Sequence, residues 1–287
     1  MAADRTDFYA LMGEMLEELD SSHMGASGPP QPPVGNDSTP WTGIIWDSRA
    51  LDARGSYVVQ RVSPLSPAAH PQSEFKPGDR VLTVDGESPS VTRPISAILN
   101  RKAGKKVLFV VEREGKDVSI DLKPTESRER AGVEYENWVA WNRKEVERLS
   151  NGQLTYLHIQ GMNEPSHRRF LREIRTLTQG KKGVVIDVRF NGGGSTAHQA
   201  LGVLIKTPWL DRTFRGYDGK VSENIYRGDS LEMPSCLLIN QYSFSNAEIF
   251  AEGFRRLKIG PIIGERTAGG VIGTGSFGLL DGGFIRM

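Results

Sequence analysis

The sequence predicts an α/β domain preceded by a small mainly-β domain and a short N-terminal helical segment. Three observations carry that prediction. From about residue 133 onward, short apolar runs alternate with amphipathic helical runs. Over about 42–125, alternating strands are punctuated by tight turns, one of them Asp85-Gly86. Between the first helical pattern and those strands lies a Gly-, Pro- and Ser-rich stretch at 24–41.

Phe8, Leu11, Met12, Met15 and Leu19 recur at helical spacing and predict an amphipathic helix over 7–19. Residues 24–41 crowd Pro29, Pro30, Pro32 and Pro33 together and read as a linker or long loop without a packed element. The β-rich part shows strand patterns at 43–46, 56–62, 78–86 and 107–113, with a short helical stretch at 94–99. In the α/β part, 154–159, 183–190, 234–239 and 261–263 read as strands, and 164–178, about 196–206 and 246–257 as helices. The run 183–190 is apolar enough to be a central strand, which implies a largely parallel sheet covered on both faces. The expected domains are 1–38, 39–127 and 128–287.

Composition narrows the function classes. Lys and Arg number 36 against 35 Asp and Glu, a net charge of +1 that argues against nucleic acid or a membrane surface as the main partner. The one cysteine, Cys236, rules out an intrachain disulfide and reads as a small core thiol. No apolar run reaches the roughly 20 residues of a membrane span. The polar start, Met1 to Asp7, lacks the pattern of an export signal, so the expected location is cytoplasmic. The chain stops at Gly283 to Met287 within a strand pattern, which suggests a piece of a longer protein.

Three places join special backbone to reactive side chains. Asn191-Gly192-Gly193-Gly194 follows a strand and precedes a helix, so its N–H groups and the helix N-terminus suit an anion. A phosphate site, an oxyanion hole and a plain tight turn all fit, although the Lys and Ser/Thr of a P-loop are absent. Ser245 sits at a strand-to-helix turn, where a hydroxyl can be exposed as a nucleophile. Ser245 with Glu248 three residues on is equally a capping box that merely starts a helix. His23, after Ser22 at the end of the first helix, is a general base or a surface residue.

Residues 77–86, Pro-Gly-Asp-Arg-Val-Leu-Thr-Val-Asp-Gly, resemble the corresponding run of PDZ domains. The runs 18–23, 185–194, 240–248 and 264–273 together resemble the S41 family of serine peptidases, in its tricorn-like branch. That resemblance implies a crotonase/ClpP-like α/β core with an inserted PDZ domain. It also implies cleavage of peptide bonds in oligopeptides or unfolded chains, without metal or cofactor. By resemblance Ser245 is the nucleophile, His23 the base, Ser22 the link from His23 to an orienting glutamate, and Gly193 and Asn246 the oxyanion donors. Asn246 stands where the branch often has Asp, a change that spares the backbone donor. A Ser–Lys arrangement is disfavoured, because Gly270 occupies the lysine position and no lysine follows Lys258. The family glutamate belongs to a later segment, and no residue here takes its place, since Glu265 sits in a motif with another job, so this chain alone is expected to be weak or inactive. The expected partners are peptide substrates and peptide C-termini on the PDZ domain, with a homo-oligomer compatible. A peptide-binding module and, at lower rank, an acyl-CoA enzyme of crotonase type are the competing readings.

Overall fold

The computed structural model describes residues 2–19, 23–29, 38–205, 210–213, 220–223, 231 and 233–287. The chain divides into two compact units, 1–31 with 142–287, and 32–141.

The first unit begins with α1 (Arg5–Glu17), started by Asp4, whose side chain accepts the Asp7 N–H. The apolar stripe read from the sequence is not what this helix buries. Phe8, Leu11, Met15 and Leu19 are exposed, and Tyr9 is buried instead, with its hydroxyl donating to Asp281 at 2.7 Å. β1 (Gly25–Ser27) follows and pairs antiparallel with a strand at the far end of the sequence. The reading of 24–41 as free of packed elements is therefore corrected at its first residues. A three-residue strand rich in Gly and Ser has no alternation to read, and only its distant partner defines it.

The 32–141 unit contains β2 (Ile44–Trp46), α2 (Ser48–Arg54), β3 (Val59–Val62), β4 (Arg80–Val84), α3 (Ile95–Leu99), β5 (Val107–Arg113) and β6 (Lys116–Leu122). β2 pairs with β3, and β4, β5 and β6 form an antiparallel sheet in that order. Val84, Val107, Phe109, Val111 and Leu122 are buried at the centre of one apolar cluster. Buried Asp79, in the Pro-Gly-Asp turn, is held by Arg113 at 2.7 Å, as a buried carboxylate requires.

α4 (Glu129–Leu149) carries the chain across the boundary between the units. In the first unit again come β7 (Leu154–His158), α5 (Glu164–Leu177), β8 (Gly183–Asp187), α6 (Ala197–Leu204), β9 (Leu210–Thr213), β10 (Lys220–Glu223), β11 (Ser235–Ile239), α7 (Asn246–Arg256), β12 (Ile262–Gly264), β13 (Ser276–Gly278) and β14 (Phe284–Arg286). The central sheet runs β12-β11-β8-β7, with every neighbouring pair parallel. Ile186, Leu237, Phe250 and Phe254 are fully buried in its core. Because β8 and β11 are parallel neighbours, with Asp187 opposite Leu238, their carboxyl ends lie side by side. That edge is where α/β sheets place ligands. β13 and β14 form a separate antiparallel sheet with β1. Among the described residues, no helix is long and apolar enough to cross a membrane.

Candidate active site

The two turns leaving β8 and β11 are stitched together. Phe244 N–H donates to the Asn191 carbonyl at 2.9 Å, and the Ser243 hydroxyl donates to the Val188 carbonyl at 2.9 Å. The Asn246 amide oxygen accepts the Ala197 N–H at 2.8 Å, tying the first residues of α6 and α7. Asn191 and Ser243 are wholly buried, so these polar bonds work as internal fasteners.

Ser245 begins α7 with φ 55 and ψ −117. An ordinary N-cap lies in the extended region, whereas a non-glycine residue held here costs on the order of 1–3 kcal/mol. The turn is sharp, as in strand-to-helix elbows that expose a nucleophile. Glu248 closes the capping box by accepting the Ser245 N–H at 2.6 Å. Its carboxylate does more, accepting Gly269 N–H at 2.6 Å and Gly270 N–H at 3.0 Å. Burial pushes the Glu248 carboxyl up, but the hydrogen bonds from Gly269, Ser245, Thr267 and Gly270 outweigh it and hold the group below the usual range. A helix cap and a sharp strand-to-helix turn thus coincide at one residue.

Gly193 packs against this elbow with φ 93. A Cβ there would lie 2.8 Å from both the Phe244 carbonyl oxygen and the Ser245 Cβ, so only glycine permits the approach. Its N–H donates to Asn191 Oδ1 at 2.9 Å. Asn246 N–H has no acceptor among the described residues and sits at the positive end of α7.

His23 is drawn to the same place from the other end of the sequence. Its ring stacks on Phe244, with centroids 4.6 Å apart and planes 13° from parallel. Nε2 lies 3.1 Å from the Gly270 carbonyl oxygen, and Nδ1 lies 3.0 Å from an Arg286 guanidinium nitrogen. A carbonyl only accepts and a guanidinium only donates, which assigns the proton to Nε2. Both ring nitrogens are engaged, and no hydrogen bond joins His23 to Ser245 among the described contacts. Ser22 lies outside the described residues.

Beneath the glycine turn is a polar group the sequence did not reveal. Fully buried Asp187 accepts Tyr156 hydroxyl and Arg189 guanidinium bonds, each at 2.7 Å. Burial first, then the Asp187 charge, pushes the Tyr156 hydroxyl strongly up, so it stays a donor. Burial likewise lowers the His158 pKa, and its Nε2 reaches the Arg189 carbonyl at 2.9 Å. Among the described residues, no group of three or more His, Cys, Asp or Glu is arranged to hold a metal ion.

Comparison with known proteins decides the family. Residues 153–287 match the model of peptidase family S41, and residues 36–123 match that of the PDZ domain. Residues 153–287 belong to peptidase family S41. It is 29% identical to tricorn protease homolog 1 of Streptomyces coelicolor, across 99% of this chain and 26% of that protein. It is 32% identical to the tricorn protease of Thermoplasma acidophilum, across 71% of this chain and 19% of that one. The chain thus spans about a quarter or less of the length of these relatives. A crystal structure of the tricorn protease superposes with a TM-score of 0.74 at 24% identity, over 99% of this chain and 28% of that one. This similarity agrees with the α/β core and mainly-β unit expected from sequence.

Within this chain, the fold brings Ser245, Gly193, Asn246 and His23 around the carboxyl edge of β8 and β11. Glu265, considered as a substitute orienting acid, has an exposed side chain, and its N–H donates to the Ile239 carbonyl at 3.3 Å. Sequence reasoning missed two organising residues. Glu248 was visible as the last member of a Ser-x-x-Glu box, but its bonds to Gly269 and Gly270 depend on a loop closing from 21 and 22 residues away. Arg286, against His23, carried no local signal at all.

Proposed function

We propose that the intact protein is a serine peptidase that cleaves oligopeptides or unfolded chains through an acyl-enzyme on Ser245. The observation that supports this most is the Ser245 backbone, φ 55 and ψ −117, at the edge of the parallel sheet with Gly193 packed against it. A strained serine at that place has a use if its hydroxyl attacks a carbonyl and neighbouring N–H groups receive the developing charge. Asn246 N–H supplies one donor. Gly193 N–H, oriented by Asn191 Oδ1, supplies the second by sharing its hydrogen between Asn191 and the oxyanion. His23 takes the Ser245 proton and returns it to the leaving amine, with Ser22 linking it to an acid outside this stretch of chain. For that task His23 must exchange one of its present ring contacts, to Gly270 or Arg286, for the Ser245 hydroxyl.

A fluorophosphonate probe tests the reading. Labelling of the intact protein should map to Ser245, vanish in Ser245→Ala and fall at least about a hundredfold in His23→Ala. Equal labelling of His23→Ala and wild type would remove histidine from the mechanism.

A second reading is favoured by the engaged state of His23 and by a concavity of 860 Å³ within the 32–141 unit. That concavity is lined in part by Trp41, Leu65, His70, Lys106, Leu122 and Val133. In it, the chain is a module that binds peptide C-termini and turns over nothing. Peptide affinity lowered by Trp41→Ala and untouched by Ser245→Ala, with no probe labelling, would select this reading.

A further inference from the structure

Beside the elbow stand two aromatic rings whose placement the catalytic reading does not use. Phe190 lies in the turn three residues after β8, and Tyr242 lies three residues before Ser245. Their rings stack with centroids 5.6 Å apart and planes 19° from parallel. Each is more than half exposed, 57% for Phe190 and 58% for Tyr242. Phe190 also has φ 63, a conformation that a bulky residue rarely adopts. Both backbones are held by one atom: Asn240 Oδ1 accepts the Phe190 N–H at 3.1 Å and the Tyr242 N–H at 3.2 Å. Asn240 is itself buried and accepts the Ser243 N–H through its carbonyl at 2.9 Å.

Three costs therefore coincide: a strained backbone, two exposed rings, and a buried amide committed to fixing them. Neither ring belongs to the buried cluster that stabilises the sheet. Strain of this kind collects at functional sites. The pair flanks the two turns that carry Gly193 and Ser245, and those turns are bonded to each other through Phe244 and Asn191.

We propose that Phe190 and Tyr242 form a platform that receives a large apolar side chain, aromatic or leucine-like, from a residue of the substrate close to the bond being cleaved. This deepens the peptidase reading and rests on it for the identity of the bound chain. The chemistry favours an apolar guest over a cationic one. Asp187 and Arg189, the charges preceding Phe190, are paired with each other at 2.7 Å, so this turn offers no uncommitted carboxylate. A flat ring or branched alkyl group gains stacking and burial there, and a glycine gains neither.

The test uses the intact protein and a set of peptides that differ at one position, carrying Phe, Leu, Arg or Gly in turn. Binding is measured to Ser245→Ala, and kcat/KM to the Ser245 form, with and without Tyr242→Ala. Tyr242→Ala should weaken binding of the Phe and Leu peptides about five- to tenfold and leave the Gly peptide within about twofold. The loss should appear in KM more than in kcat, and Tyr242→Phe, which keeps the ring, should restore it. Equal loss for all four peptides, or a preference for Arg that Tyr242→Ala abolishes, overturns the assignment. If no peptide is cleaved by the Ser245 form, the peptidase reading fails, yet side-chain-dependent binding to Ser245→Ala still decides the platform.

Discussion

The turns after β8 and β11 solve the same geometric problem with opposite materials. After β8 the chain turns through Gly193 and Gly194, with φ 93 and 140, where the absence of a Cβ makes such angles cheap. After β11 it turns through Ser245 at φ 55, where a side chain is retained at a cost. Glycine serves where backbone approaches closely, and at the second turn a serine is retained despite its positive φ. The serine elbow has an external brace, the Glu248 carboxylate and its three N–H donors. Strain and brace belong together, because a sparsely populated conformation persists only when its surroundings over-determine it.

Substitutions can break this pairing, and the largest effect should come from the glycine side. Gly193→Ala places a methyl 2.8 Å from the Ser245 Cβ at a positive φ, so a loss of about 3 kcal/mol is expected in urea unfolding. Gly192→Ala is the control: no heavy atom lies within 4 Å of its new Cβ, and a change below about 0.5 kcal/mol is expected. Equal effects at the two positions would dissolve the contrast drawn between them.

Removing the brace comes next. Glu248→Gln should cost about 2 kcal/mol near neutral pH, because a buried charged acceptor is replaced by an amide that can satisfy fewer of the same N–H groups. The pH dependence has a definite sign. The folded Glu248 carboxyl titrates below its ordinary range, so its contribution is complete above the unfolded value and is lost as pH falls through the folded one. The difference between wild type and Glu248→Gln should therefore shrink as pH drops from about 5 towards 3, followed by unfolding midpoints. A constant difference over that window would mean that the carboxylate charge is not what braces the turn.

The smallest expected effect has the opposite direction. Ser245→Gly should gain about 1 kcal/mol, as relief of backbone strain exceeds the extra entropy of an unfolded glycine. The same variant should lose all fluorophosphonate labelling. A destabilised Ser245→Gly would show that the serine side chain, through the capping box, contributes more than its backbone costs.

The sequence made the alternating strands and helices of the α/β unit legible because each carries its own period. Val184, Ile186 and Leu237 announce buried strands, and Phe170, Ile174, Phe250 and Phe254 announce helix faces. It concealed α4, whose 21 residues bury only Val139 and so lack an apolar stripe. It also concealed β6, although Ile120 and Leu122 alternate after the Glu114-Gly115 turn and could have been read. At the site, the family resemblance pointed to Ser245, Gly193 and His23, while the contacts of Glu248, Asn240 and Arg286 arise from folding and leave no local pattern. The buried face of α1 was misread for a related reason. Tyr9 earns its burial through a hydroxyl bond to Asp281, which no hydrophobic period encodes.

The pairing of β1 with β14 has a consequence in time. Gly25 to Ser27 find their partners at Phe284 to Arg286, across most of the chain, and His23 sits immediately upstream of that junction. Closing so long a loop adds little to the equilibrium cost, since each doubling of length adds only about 0.6 kcal/mol. Its effect is on order. During synthesis α1 and β1, on either side of His23, emerge before β14, and β1 waits for that strand, whereas β8, β11 and the Ser245 elbow can assemble among near neighbours. The Ser245 elbow can thus form before β1 and β14 bring His23 beside Phe244.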